Sequence, residues 1–428
     1  MKNNVWLNFT NFNDFNNNPL IIEHAENEYV YDSNGNKCLD AISGIWNAGL
    51  GYSRSDILEN IHKEMLNLPL TSLFGRVYPL IMNYTNRLLE LAPDFDKVFY
   101  GTGGSDSVET AMKVARQYYY QKGFPEKTKI AHFRNSYHGV SYGALTIMGE
   151  KENNVGYAVD TSDTVTLPWP QDVDGDSEKI FDELTKANPE KVAAVILEPV
   201  IGSGGLYPFP DDFLKRLRKY TEDNNILLIF DEVVTGFGRT GDLFAYQGID
   251  GVVPDIMVLA KTITAGYAPL GATLFSKKII DVFTEKDVKL LHGYTNAGSV
   301  IGVAAADKVL EILSEEKILE NVRRESKHLL AGLESLQNRY PDVIKLIRGK
   351  GLMVGVQINS PSKTDLELNT FYSILNNKNH ILSRAAYDDI CVLMPPLNST
   401  PHFIDDLLNK FEKTIIDYRK TMKKINER

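Results

Sequence analysis

At 428 residues, 43 % hydrophobic and 24 % charged, the chain has an ordinary globular composition and enough length for one large domain and a smaller one. Its formal charge of −10 opposes a main role on a nucleic-acid backbone or an anionic membrane surface, and no run of about 18 apolar residues is present to span a bilayer. Cys38 and Cys391 stand in neither disulfide nor metal-ligand spacing, and no basic start precedes an apolar core at the amino terminus, so a soluble cytoplasmic protein without a metal is expected.

Residues 1–19 are rich in asparagine but carry Phe9, Phe12 and Phe15, three rings that free solvent would waste. Residues 28–40 alternate apolar and polar about Asp32-Ser-Asn-Gly35, which predicts a β-hairpin. Trp46 follows in the glycine-rich stretch Ser43-Gly-Ile-Trp-Asn-Ala-Gly-Leu-Gly51, either plugging the core or lining a pocket. Helical spacing covers 57–68 and 81–91. A strand over 97–100 then feeds Gly101-Thr-Gly-Gly-Ser-Asp-Ser107 and a helix over 108–121. Such a turn exposes backbone N–H groups where the helix dipole favours a dianion, although simple tight turns look alike.

A strand over 129–133 leads into Asn135-Ser-Tyr-His-Gly139, whose Tyr and His can be ordinary packing. Residues 153–175, around Pro168-Trp-Pro170, are polar and read as a surface excursion. The apolar run 193–197 ends in Glu198, a carboxylate that is costly to bury without compensation. An amphipathic helix over 213–224 precedes the most informative stretch. There an apolar strand over 226–230 runs into Asp231-Glu-Val-Val-Thr-Gly-Phe-Gly-Arg-Thr-Gly241, and a second apolar run over 256–260 delivers Lys261.

Strands apolar on both faces belong to helix-covered parallel sheets, whose ligands collect at the carboxyl ends of the strands. An acid and an amine there suit pyridoxal phosphate (PLP) chemistry, in which a lysine holds the cofactor as a Schiff base and an acid pairs with the protonated pyridine nitrogen. A structural salt bridge at a sheet edge is the other reading. Helices over 299–313 and 320–340, a strand over 351–358, a helix near 366–376 and apolar segments over 381–387 and 390–397 complete the chain.

The stretches 231–241 and Ala260-Lys-Thr-Ile-Thr-Ala-Gly-Tyr-Ala-Pro-Leu-Gly-Ala272 together resemble the paired signatures of the class III aminotransferases, above all the ω-transaminases, and the resemblance runs from about residue 23 into the C-terminal region. It implies an α/β fold of PLP-dependent fold type I, with a large, mixed but mostly parallel seven-stranded sheet flanked by helices and a smaller α+β domain. The corresponding division is 1–55 for an N-terminal segment that joins the small domain and the active-site entrance, 56–312 for the cofactor domain and 313–428 for the small domain.

The same resemblance implies roles residue by residue. Lys261 and Asp231 become catalytic, Gly104 and Ser105 phosphate contacts, Tyr137 a ring stacked on the pyridine with His138 in support, and Val233 the packing on the opposite face. Glu198 falls near the cofactor, with a structural cap as its other reading. Thr295, in His292-Gly-Tyr-Thr-Asn-Ala-Gly298, is similar to the threonine that completes the phosphate site of the neighbouring subunit, which implies a homodimer; an ordinary helix cap or turn is the plainer reading. Trp46, with Phe74 behind it, Tyr137 and Arg384 become substrate contacts, the last through bidentate recognition of a carboxylate.

The chain departs from the family pattern at four places: Asp106 where a Glu is usual, Val234 for the Gln of 4-aminobutyrate and ornithine enzymes, Ser299-Val300 for His-Pro, and Ala385-Ala386 after Arg384. The expected activity moves an amino group from a primary amine, ω-amino acid or amino acid to a keto acid or aldehyde, by a ping-pong mechanism and with no metal. The substrates are small molecules, free or carried on a peptide or carrier protein. An aminomutase, an amino-acid epimerase or a silent PLP-fold binding subunit are the alternatives.

Overall fold

The computed structural model describes residues 4–17, 19–169, 177–359 and 365–427. Seven strands form its central sheet: β1 (Phe95–Gly101), β2 (Lys129–Phe133), β3 (Thr164–Leu167), β4 (Val192–Leu197), β5 (Leu227–Asp231), β6 (Ile256–Leu259) and β7 (Gly271–Ser276). They lie in the order β1-β7-β6-β5-β4-β2-β3. All neighbouring pairs are parallel except those made by β7, which runs antiparallel to both β6 and β1.

Side chains alternate across a strand, and here both faces meet apolar layers. Val195, Leu197, Leu228, Phe230, Met257 and Leu259 enter one cluster, while Ala194, Ile196, Leu227, Ile229, Ile256 and Val258 enter the other. The unbroken apolar runs of β4, β5 and β6 follow from this burial on two sides. Register then aligns their ends, with Phe230 opposite Leu197 and Asp231 opposite Val258. Glu198, Asp231 and Lys261 therefore emerge at one edge of the sheet.

The hairpin Tyr29–Asp32 and Lys37–Asp40 forms where the Asp-Ser-Asn-Gly turn places it, and Lys37–Asp40 pairs in parallel with Ile381–Leu382 from the far end of the chain. A second small sheet joins Ile344–Lys350, Met353–Ile358, Ile390–Leu393 and Ala385–Ala386. Helices Ile318–Arg339 and Pro401–Asn426 pack together beside it.

Two expectations need correction. The stretch 153–175 is not simply a surface excursion: Thr164–Leu167 is the edge strand β3, paired with β2, and Trp169 is buried with its ring edge-on to Tyr207 and Tyr387. Four residues are too few for periodicity to separate a strand from a loop. Residues 170–176, including Pro170, lie outside those described. The helix expected from residue 108 starts four positions earlier, as α1 (Gly104–Gln121), because Asp106 caps its glycine-rich start.

Near the amino terminus, Phe12–Asn17 is a short helix, and the rings of Trp6 and Phe12 meet edge-on at 5.3 Å. Trp6 and Phe9 border a cavity of about 800 Å³ that they share with Tyr137, Val140 and Tyr142, so this segment lies beside Tyr137.

Candidate active site

The end of β1, the start of α1 and the ends of β5 and β6 enclose a cavity of about 280 Å³. At one end lie Thr102, Gly103, Gly104 and Ser105. The first amides of a helix have no intrahelical acceptor and carry the positive end of its dipole, so this end suits an anion. Asp106 shapes it. Its carboxylate accepts from Thr102 N at 2.6 Å, Thr102 Oγ1 at 2.8 Å and Gly103 N at 2.8 Å. The acid one methylene shorter than the family's Glu thus holds the turn directly.

Close approach explains two of the glycines. A Cβ on Gly104 would come within 3.2 Å of Val233, and one on Gly139, whose φ is +111°, within 2.4 Å of the Ser105 hydroxyl. That hydroxyl accepts from Val140 N at 3.1 Å and ties the two loops together.

Deeper in, Asp231 Oδ2 accepts from His138 Nδ1 at 2.8 Å, and Oδ1 accepts from Val233 N at 3.1 Å. An ionised carboxylate only accepts, so Nδ1 carries the hydrogen. His138 Nε2 is buried without a partner. Lys261 lies across the cavity, with φ +51°, the left-handed region that costs a non-glycine residue about 1 kcal/mol. Its Nζ is 5.1 Å from the centre of the Trp46 ring. Among the described residues no ion pair within 4.0 Å joins it to Asp231, which removes the simple salt-bridge reading. Burial lowers the Lys261 amine to about 8, with Asp231 and Glu198 opposing and Arg384 reinforcing the shift.

Glu198 is buried, and its two oxygens accept from Tyr137 N at 3.0 Å and Gly202 N at 2.9 Å. Burial pushes it up to about 7; His138 and the two N–H groups resist, while Asp231 adds to the rise. Glu198 thus fixes the Tyr137 loop and also lines the cavity. Tyr137, His138 and Val233 line it too.

Trp46 is buried at the cavity wall with φ +61° and an unpartnered Nε1. A residue the sequence did not single out holds it there. Asp40 accepts from Ile42 N at 3.1 Å, Gly44 N at 2.6 Å and the Tyr52 hydroxyl at 2.5 Å, bracing the turn that carries Trp46. The signal available was an acid three positions before the Ser-Gly-Ile-Trp stretch. Arg384 lies at the rim, exposed, with its guanidinium 5.9 Å from the Trp46 ring centre and Nε donating to Ala385 O at 3.3 Å.

Two of the named site residues do not line this chain's own cavity. Phe74 is 62 % exposed and packs near Gly293 instead of standing behind Trp46. Thr295, expected at a neighbouring subunit's site and not at its own, is likewise exposed and absent from its own cavity wall. Both sit on exposed segments that run outside the sheet.

The cavity meets the demands of PLP: an amide-lined end for a phosphate, a buried acid for a ring nitrogen, flat and apolar side chains for two ring faces, and a buried amine of lowered pKa. Among the described residues no cluster of three or more His, Cys, Asp or Glu is placed to hold a metal, and no helix is long and apolar enough to cross a membrane.

Comparison with known proteins agrees with this chemistry. The family described as Aminotransferase class-III matches residues 12–415. The acetylornithine aminotransferase of Agrobacterium fabrum is 34 % identical over 91 % of this chain and 92 % of its own length. The β-alanine–pyruvate aminotransferase of Pseudomonas aeruginosa is 34 % identical over 82 % of each. Among solved structures, a transaminase from the marine bacterium Virgibacillus superposes with a TM-score of 0.93 at 28 % identity, covering 98 % of both chains. A PLP-bound amine transaminase from an uncultivated Pseudomonas species gives 0.90 at 31 %, covering 97 % of this chain and 99 % of its own. A family match across nearly the whole length, on a sheet whose strand ends assemble the required acid and amine, establishes that the chain belongs to the class III aminotransferases, PLP-dependent enzymes of fold type I.

Proposed function

We propose that Lys261 is the amine to which the cofactor is joined and the base that moves the proton during transfer, with a primary amine or ω-amino acid as donor and a keto acid or aldehyde as acceptor. The observation that carries this is the placement of Lys261 and Asp231 across one cavity whose far end is the amide-lined start of α1. When bound, PLP supplies a protonated ring that draws electrons from the carbon next to the reacting nitrogen.

In this reading Asp231 keeps the proton on the pyridine nitrogen, and His138, donating to its other oxygen, keeps the carboxylate oriented. Tyr137 and Val233 hold the ring between them, Glu198 fixes the Tyr137 loop, and the Gly104 and Ser105 amides take the phosphate. Lys261 Nζ, with its lowered pKa, removes the proton from the donor carbon and returns it on the other side of the reacting nitrogen, so that the donor leaves as a carbonyl compound. Trp46 walls the cavity and keeps water from the Lys261 side, while Arg384 at the rim receives a substrate carboxylate. Relatives named for acetylornithine, putrescine with pyruvate and β-alanine with pyruvate support an amine at the end of a short chain as the donor class.

We place the enzyme in the cytoplasm as a homodimer in which Thr295, and Phe74 beside it, reach the partner's cavity; their exposure and their distance from their own cavity support this. Residues 56–312 would form the cofactor domain, and 1–55 would join 313–428 around it, in keeping with the pairing of Lys37–Asp40 and Ile381–Leu382.

The test is the visible spectrum of the purified protein mixed with a panel of amines. The expected result is a cofactor band that fades with one donor and returns with one keto acid. A band unmoved by every donor would refute the substrate class, and a K261A protein that still cycled would refute the role of Lys261.

A further inference from the structure

Arg239, near the end of the stretch 231–241, is a fully buried cation that the transfer chemistry does not use. Its Nη1 donates to Leu352 O at 3.1 Å and to Pro395 O at 2.5 Å, while Nε and Nη2 are buried without partners. Burial pulls the guanidinium down to about 9, so it stays charged at neutral pH, and Asp40 opposes the shift. A buried cation with two unmatched nitrogens is costly, and an apolar side chain of similar length would fill the space without that cost. What the guanidinium adds is a grip on two carbonyls beside the strands Met353–Ile358 and Ile390–Leu393.

Pro395 belongs to Met394-Pro-Pro-Leu397, a segment stiffened by two prolines. Both ends of that segment hold the turn that carries Trp46. Met394 N donates to Ala41 O at 2.6 Å, and the Ser43 hydroxyl donates to Met394 O at 2.7 Å. Leu397 N donates to Gly49 O at 2.7 Å, and Asn398 Nδ2 to Leu50 O at 3.1 Å. Gly49 in turn presses on the neighbour of Lys261, since a Cβ there would come within 2.5 Å of the Thr262 methyl. A chain of contacts therefore runs from Arg239 through Pro395 to the loop 41–50 and Trp46, whose ring centre stands 5.1 Å from Lys261 Nζ.

Resting on the reading of Trp46 as a wall of the substrate cavity, we infer that Arg239 is a positioning residue for specificity: it fixes the Pro395 segment and, through it, the distance of the Trp46 ring from Lys261. The width of the cavity at the reacting amine is then set by the same stretch that supplies Asp231. A loosened wall leaves a small donor nearly unaffected, because such a donor makes few contacts with the ring. It weakens a donor whose own aromatic ring packs there.

The first readout needs neither cofactor nor turnover. Trp6, Trp46 and Trp169 are the three tryptophans, so in W6F/W169F protein Trp46 is the one that remains to be followed by fluorescence. Adding R239M, which removes the charge and the donors, should raise the acrylamide quenching constant of Trp46 about threefold, and R239K, which keeps a charge and a donor group, should raise it less. In R239M holoenzyme the KM for benzylamine should rise about tenfold and that for propylamine less than about twofold. The W46A/R239M double variant should keep the ratio of the two KM values found in W46A alone. Unchanged quenching in R239M would overturn the inference, as would an equal rise of both KM values or an effect on their ratio that persists in the W46A background. If neither Arg239 variant folds, S43A decides, because it cuts the turn from Met394 and leaves the buried cation in place: quenching equal to that of its parent rules the role out. A failed transaminase assignment would show separately, as a wild-type protein that transfers neither amine while the quenching results stand.

Discussion

The cavity's acid and base chemistry comes from burial more than from pairing. Lys261 is half-protonated near pH 8 instead of 10.5, so the rate at which the apoprotein captures PLP should rise about tenfold per pH unit below that value and level off above it, as stopped-flow absorbance would show. Glu198 shows the opposite sign. A carboxyl whose folded pKa is raised from 4.5 to about 7 favours the fold most below 4.5, and that contribution is lost as pH rises through about 7. Glutamine has no proton to lose. The melting temperature of E198Q apoprotein should therefore gain on wild type between pH 5 and pH 8, by roughly 2 °C or more in calorimetry. Removing the charge of Asp231 in D231N leaves the ring nitrogen without its anionic partner, and kcat should fall roughly 10²- to 10⁴-fold with protein folding unchanged by circular dichroism.

At the scale of elements, the loops decide whether the cofactor fits. G139A would force a Cβ into the Ser105 hydroxyl from a backbone angle that favours glycine, so the dissociation constant for PLP should rise at least about tenfold in equilibrium dialysis. D106A would free the amides of Thr102 and Gly103 and cost about 1 kcal/mol in denaturant unfolding, with weaker PLP binding as a companion effect.

These elements also mark how far the sequence could be read. β4, β5 and β6 were legible because burial on both faces leaves an unbroken apolar run, and Glu198, Asp231 and Lys261 stand where those runs end. The start of α1 was not, since glycine and serine hide a helix whose first turn is held by a side chain reaching back. β3 was too short for periodicity to reveal. Asp40 was missed although its partners, the amides of Ile42 and Gly44 and the Tyr52 hydroxyl, are close in sequence: an acid ahead of a turn is too common a pattern to single one out. The family likeness suggested the roles proposed for Tyr137 and Val233, which packing chemistry alone leaves ambiguous.

For the whole molecule, the exposed Phe74 and Thr295 matter most. If they complete a neighbouring cavity, sedimentation velocity should give a dimer, and T295A should weaken PLP binding severalfold while leaving the dimer intact. A monomer with full PLP affinity would dismiss that arrangement. The position of β7 has a consequence of a different kind. β1, which leads into the glycine-rich turn, lies at the edge of the sheet and pairs with β7, a strand that is synthesised long after it. Until residues 271–276 leave the ribosome, β1 has no strand to pair with, although Asp231 and Lys261 are already made. Long-range closure of this sort is slow. The ability to retain a cofactor should therefore appear late and all at once, so that a chain interrupted before Gly271 carries its reactive amine without the means to hold anything against it.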